Sequence, residues 1–147
     1  MLIKGIDKRP RRPVRQRRLR LATFCGPSQG YGRTDIRSSL WSHLPDSLFQ
    51  RWLSSVCAAL NPGGYLMFST HGANAATIVP RLAEVIKDGR QYGYLDGSDQ
   101  KDLDPSIYGS TIVLPPYVIK AIYDATKARI MSFKPAGWWG LQDEWII

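Results

Sequence analysis

The run Leu60-Asn61-Pro62-Gly63-Gly64-Tyr65-Leu66-Met67-Phe68-Ser69-Thr70-His71-Gly72 limits the fold more than any other stretch. Pro62 disfavours the helical conformation at Asn61, and the two glycines permit positive φ, so a helix must end here. Tyr65 to Phe68 follows as an unbroken apolar run, the pattern of a strand covered on both faces of a parallel sheet. Ligands of such sheets sit beyond the carboxyl ends of the strands, which places Ser69, Thr70, His71 and Gly72 where chemistry is expected.

The preceding segment supplies the helix. Ser47 and Gln50 have capping-box spacing, and Pro45 suits a helix entrance. Leu48, Phe49, Trp52, Leu53, Val56, Cys57 and Leu60 then recur at helical spacing, with Gln50, Arg51, Ser54 and Ser55 between them. Loop, amphipathic helix, tight turn and buried strand make half of a strand-helix-strand unit.

The ordered series Ser39-Leu40-Trp41-Ser42-His43-Leu44-Pro45, Trp52-Leu53, Leu60-Asn61-Pro62-Gly63-Gly64-Tyr65-Leu66 and Ser69-Thr70-His71-Gly72 resembles class I S-adenosylmethionine-dependent methyltransferases. Leu103-Asp104-Pro105, Tyr108-Gly109-Ser110-Thr111, Pro116-Tyr117-Val118 and Gln142-Asp143 extend the resemblance towards the end of the chain. It implies an α/β, Rossmann-like partial sheet over residues 38–147, mostly parallel with an antiparallel last strand and helices on its faces. It also implies S-adenosylmethionine as cofactor, with Ser39, Leu40 and Trp41 bordering its methionine end. Thr70, His71 and Gly72 would then border the pocket of a small-molecule or macromolecular methyl acceptor.

One part of that pattern is missing. Cofactor binding in such folds depends on a glycine-rich turn after the first strand and an acidic residue after the second. Gly26-Pro27-Ser28-Gln29-Gly30-Tyr31-Gly32 is glycine-rich but follows no convincing strand. The chain therefore reads as the C-terminal half of a methyltransferase, its cofactor-binding half missing or scrambled. Gly5-Ile6-Asp7 is a faint trace of an earlier strand. Thr34-Asp35-Ile36-Arg37-Ser38 stands where the family has a hydrophobic strand, and Asp35 and Arg37 suit a buried strand poorly.

The net charge of +8 over 147 residues is uneven. Residues 1–37 hold eleven Lys/Arg against Asp7 and Asp35, while residues 38–147 hold nine Lys/Arg against ten Asp/Glu. Residues 1–37 read as a disordered, Arg/Pro-rich arm. Its segment 8–20 is a solvated tail, a displaced reading frame, or a grip on nucleic acid phosphate in a rival, non-enzymatic role. Cys25 and Cys57 offer neither a disulfide framework nor metal spacing, and a reducing cytosol is the expected setting. No apolar run approaches the roughly 20 residues of a membrane span.

Downstream, Asn74 is placed to cap a helix over 75–87, and residues 90–106 read as polar and turn-rich. Residues 107–114 read as extended. A helix follows from Pro116 with Val118, Ile119, Ile122 and Tyr123 on one face, then strands at 129–133 and 143–147. These last two have no room for a crossover helix and should pair antiparallel.

His43 and His71 both fall just past predicted strand ends. Each could serve as a general base, but the plainer reading is an imidazole that hydrogen-bonds backbone in its loop. No further ligands have metal spacing. Tyr108-Gly109 and Trp138-Trp139 suit either an aromatic pocket wall or simple packing, and Asp143 suits a structural role. Ser69 lacks the Gly-x-Ser-x-Gly context of a hydrolase nucleophile.

Overall fold

The computed structural model describes residues 35–97, 100 and 102–147. The basic segment 8–20, the trace at Gly5-Ile6-Asp7 and the glycine-rich stretch 26–32 lie outside the described residues. Strand β1 (Asp35–Ser38) begins three residues inside the segment that charge assigns to the arm. A 3-10 turn (Leu40–Ser42) leads to helix α1 (Asp46–Ala58) and strand β2 (Tyr65–His71). Helices α2 (Ala73–Ile78) and α3 (Pro80–Val85) precede strand β3 (Tyr92–Leu95) and strand β4 (Ser110–Val113). Helix α4 (Pro115–Thr126) and strands β5 (Ser132–Trp138) and β6 (Gln142–Ile146) complete the fold.

The turn before β2 works as its residues dictate. Gly64 N–H donates to the Asn61 carbonyl at 2.8 Å, with Pro62 next and Gly63 at φ +78°. That is a type II turn, whose third position favours glycine. At the start of α1 the capping-box expectation fails. Pro45 in extended conformation is the N-cap, without a side-chain cap. The 75–87 helix is also corrected: Val79 adopts φ −116°, ψ 94°, and Pro80 starts a second short helix. Proline disfavours a helical residue before it.

Six strands form one sheet among the described residues, in the order β3-β4-β2-β6-β5, with β1 also on β2. β1 and β4 run parallel to β2, while β6 is antiparallel to both β2 and β5, and β3 is antiparallel to β4. The expected Rossmann-like, mostly parallel sheet is therefore wrong: three of these five pairings are antiparallel. Its physical source is partly β3, which lies in the stretch read as turns. Tyr92, Gly93, Tyr94 and Leu95 pair with Val113, Ile112, Thr111 and Ser110. Gly93 is needed there, because a Cβ would stand 2.6 Å from that of Val85.

Adjacent strand residues point to opposite faces. Val113 joins a core with Trp41, Phe49, Leu53, Leu66, Phe68, Val118, Ile122 and Trp145, so α1 and α4 cover that face. Ile112 joins Ala75 and Leu82, so α2 and α3 cover the other. Coverage of β2 is not uniform: Leu66 and Phe68 are buried, but Tyr65 and Met67 are only half-buried. On α4 the buried stripe is Val118, Ala121 and Ile122. Ile119 and Tyr123, expected inside, are exposed.

Phe68 is fully buried between Trp41 and Trp145, at ring-centroid distances of 4.9 and 6.4 Å. Phe68→Ala should destabilise the fold by about 3–5 kcal/mol in urea denaturation. A loss below about 1 kcal/mol would show that this face of β2 is not the core.

Candidate functional site

β2 is paired unequally along one edge, and the site sits at that irregularity. β6 covers Met67 to His71, which assigns it one edge. β1 covers Tyr65 to Phe68 and β4 meets His71, so both share the opposite edge, end to end. Between them the chain leaves β1 through the 3-10 turn and crosses the notch as His43-Leu44-Pro45.

Four hydrogen bonds hold that crossing against β3, β4 and the residue before β4. Gly109 N–H donates to the His43 carbonyl at 3.0 Å, and His43 Nδ1 lies 2.8 Å from the Gly109 carbonyl. Thr111 Oγ1 donates to the Leu44 carbonyl at 2.5 Å, and Tyr92 Oη donates to the same oxygen at 3.3 Å. Gly109 is required for the close approach of β3 on its other side, since a Cβ would come within 2.2 Å of the Leu95 carbonyl oxygen.

The result is a half-open cavity of about 400 Å³ lined by His43, Arg81, Asp96, Gln100, Tyr108 and Ser110. His43 stacks on Tyr108 with ring centroids 4.6 Å apart and planes 13° from parallel. A carbonyl accepts only, so its partner Nδ1 carries the hydrogen and Nε2 of a neutral His43 is the ring's acceptor. Burial pushes the Tyr108 hydroxyl's pKa upward, keeping it protonated.

His71 lies 6.0 Å from His43, ring to ring, but has a different environment. Its Nδ1 donates to the Thr111 carbonyl at 3.0 Å, and its Nε2 accepts from Gln142 Nε2 at 3.1 Å. Gln142 Oε1 in turn accepts from the buried Ser69 hydroxyl at 2.5 Å. Both ring nitrogens are thus occupied. Burial lowers the His71 pKa, outweighing the Thr111 hydrogen bond, with the neighbouring His43 adding to the depression. His71 is a neutral structural link rather than a base.

The remaining sequence candidates divide. Thr70 is fully buried and accepts from Trp145 Nε1 at 3.1 Å, so it faces the core and not a pocket. Gly72 abuts the buried Asp143, whose carboxylate would lie 1.9 Å from a Cβ at that position. Asp143 accepts from Ala136 N–H at 3.0 Å, and burial raises its pKa. Trp41 is fully buried, donating to the Phe49 carbonyl at 3.2 Å, and cannot touch a ligand. Ser39 and Leu40 are half-buried where β1 ends. Trp139 is 82% exposed at the β5–β6 turn, where its ring meets that of Trp138 edge to face at 5.5 Å, away from the cavity lining.

Comparison with family models, curated proteins and solved structures finds no match to this chain. Among the described residues, no three His, Cys, Asp or Glu side chains group to hold a metal ion. Nor is any helix long and apolar enough to cross a membrane. Sequence reasoning missed Arg81, Asp96, Gln100 and Ser110 as lining residues, and Gln142 as the bridge. Gln142 carried a signal, as part of the Gln142-Asp143 pair, but not its role.

The environment of His71 gives a pH prediction. The unfolded ring titrates near about 6.5, whereas the folded one takes a proton only at lower pH. The unfolded state therefore binds more protons in that interval, and stability falls as pH drops through it. Asp143, with a raised folded pKa, contributes in the opposite sense from about pH 3.9 upward. In urea denaturation between about pH 7 and pH 5, His71→Asn should flatten the loss of stability. An unchanged pH slope in that variant would refute the assignment.

Proposed function

We propose that the described residues form the acceptor side of an S-adenosylmethionine-dependent methyltransferase. The observation carrying this reading is His43 at the wall of the cavity, its Nδ1 hydrogen fixed by the Gly109 carbonyl and its Nε2 left as acceptor. The order of motifs from Ser39 to Asp143 supports it.

The residues present fit only part of the donor. Ser39 and Leu40 are half-buried at the end of β1 and suit its methionine end, while the sealed Trp41 does not. Among the described residues nothing forms a glycine-rich phosphate or ribose cradle. When bound, S-adenosylmethionine supplies a methyl group on a positively charged sulfur that departs as a neutral thioether. This chain's share is to hold the acceptor and remove its proton. His43 Nε2 takes that proton, Tyr108 fixes the imidazole plane by stacking, and the Gly109 carbonyl stabilises the imidazolium that forms. Alignment of acceptor and methyl carries most of the remaining advantage.

A second reading rests on the eleven Lys/Arg of residues 1–37, which favour nucleic acid phosphate. Saturation-transfer NMR on the full chain separates the two. S-adenosylmethionine should show weak binding through its methionine and methyl protons rather than its adenine protons. Ser39→Tyr should abolish the signal, and His43→Gln should leave it. No transfer to the methionine protons, together with salt-sensitive nucleic acid binding lost on removing residues 1–34, would replace the methyl-transfer reading with the rival.

A further inference from the structure

The cavity lies by β3 and β4. At the other end of the strand order, β5 pairs with β6 along one edge and with no strand along the other among the described residues. Ser132, Phe133, Lys134 and Pro135 are exposed there, and Met131 just before them is 54% exposed. A free strand edge beside exposed apolar side chains is a template on which another extended chain can pair. Over residues 134–137, β5 departs from such a template in three ways.

Lys134 puts a charge on the edge, and an added strand must strip it of water. Pro135 has no amide hydrogen to give to a neighbour on either side. The third departure is in the pairing itself. Lys134 faces Glu144 and Trp138 faces Gln142, so Pro135, Ala136 and Gly137 stand opposite Asp143 alone. The extra length is taken up as a bulge, which bends and twists the strand, with Ala136 at φ +50°. Ala136 N–H donates to the Asp143 carboxylate at 3.0 Å, so a side chain from β6 holds the bulge in place. A Cβ on Gly137 would come within 2.9 Å of Lys134 Cγ and Cδ, so the glycine leaves room for the Lys134 stem across the bulge.

We propose that Lys134, Pro135 and the bulge held by Asp143 guard this edge, and that what they keep off is a second copy of β5. Two copies meeting edge to edge would pair antiparallel about a two-fold axis. Pairing confined to Ser132–Pro135, ahead of the bulge, brings the two Lys134 side chains beside each other, and like charges so placed are destabilising. Each copy also lacks a donor at Pro135. The attraction between the exposed Met131 and Phe133 of the two copies is thus opposed by charge and by missing hydrogen bonds. The guard does not rest on the methyl-transfer reading, which concerns β2 and the crossing loop.

The test follows amide hydrogen exchange at residues 132–135 of the full chain by NMR, beside sedimentation, from micromolar towards millimolar protein. In the unaltered chain, exchange at these residues should not change with concentration. With Lys134→Thr and Pro135→Val together, exchange there should slow as concentration rises, while the mass shifts towards twice that of the unaltered chain. Deleting Ala136 and Gly137 from that variant restores one-to-one pairing with β6 and should strengthen the shift. If the double variant does not fold, either single substitution is read in the same way. A folded variant that keeps the unaltered mass at every concentration would overturn the proposal. So would association without slowed exchange at 132–135, or an unaltered chain that already protects those residues by pairing with its own copy.

Discussion

Hydrogen bonding along both edges of β2 is the constraint on which the rest depends. One edge is taken by β6 alone, with Leu66 of β2 and Ile147, just past the end of β6, exchanging a further pair of 3.0 Å backbone bonds. The other edge is divided between β1 and β4. A single continuous neighbour would leave no room for a crossing loop. Two strands laid end to end create a notch, and the backbone passing through it must be held from the sides. Gly109 and Thr111 do this, and the same contacts orient His43. Fold stability and site geometry therefore share hydrogen bonds, and loosening one disturbs the other.

The two histidines show how environment, not residue type, sets a role. Each donates Nδ1–H to a backbone carbonyl, so each conforms to the structural reading available from sequence. They differ at Nε2. That of His71 meets Gln142, which is itself fixed by Ser69, while burial keeps the ring neutral. That of His43 belongs to a ring on the cavity wall, stacked on Tyr108. A single imidazole with a fixed tautomer and one available acceptor is what proton removal requires. The neighbouring His43, 6.0 Å away ring to ring, further disfavours charge on His71.

What could be read from sequence follows from how local each feature is. The type II turn at Asn61–Gly64 was legible because proline and glycine act on their own backbone. The stripe of α1 was legible because Phe49, Leu53 and Val56 meet one surface at regular spacing. β3 was not: Tyr92-Gly93-Tyr94-Leu95 is short, contains glycine, and exists because β4 lies beside it and Val85 leaves room only for hydrogen at Gly93. The stripe of α4 was displaced because Ile119 is as apolar as Val118 and Ile122, and Tyr123 has a largely apolar ring. Only the direction of α1 decides which pair is covered. Sheet polarity failed for a related reason. An apolar run such as Tyr65–Phe68 reports burial, and burial does not distinguish a parallel neighbour from an antiparallel one.

The site followed the same rule in reverse. Thr70 and Trp41 sit inside recognisable motifs, yet their side chains close the core: Thr70 takes the indole hydrogen of Trp145, and Trp41 reaches the Phe49 carbonyl. A motif can thus mark the frame of a site instead of its contacts. Among the described residues the cavity lining comes from four separate segments, after β1, on α3, after β3 and at the start of β4. Only His43, Tyr108 and Ser110 fall in stretches that the sequence singles out, because a wall assembled from loop ends needs only correct placement by the sheet. Reactions driven mainly by alignment tolerate such a site, since they ask for one proton acceptor and a shaped space and not a fixed constellation. In the reading proposed above that acceptor is His43, held by the Gly109 carbonyl, and Gly109 leaves room for β3 beside it.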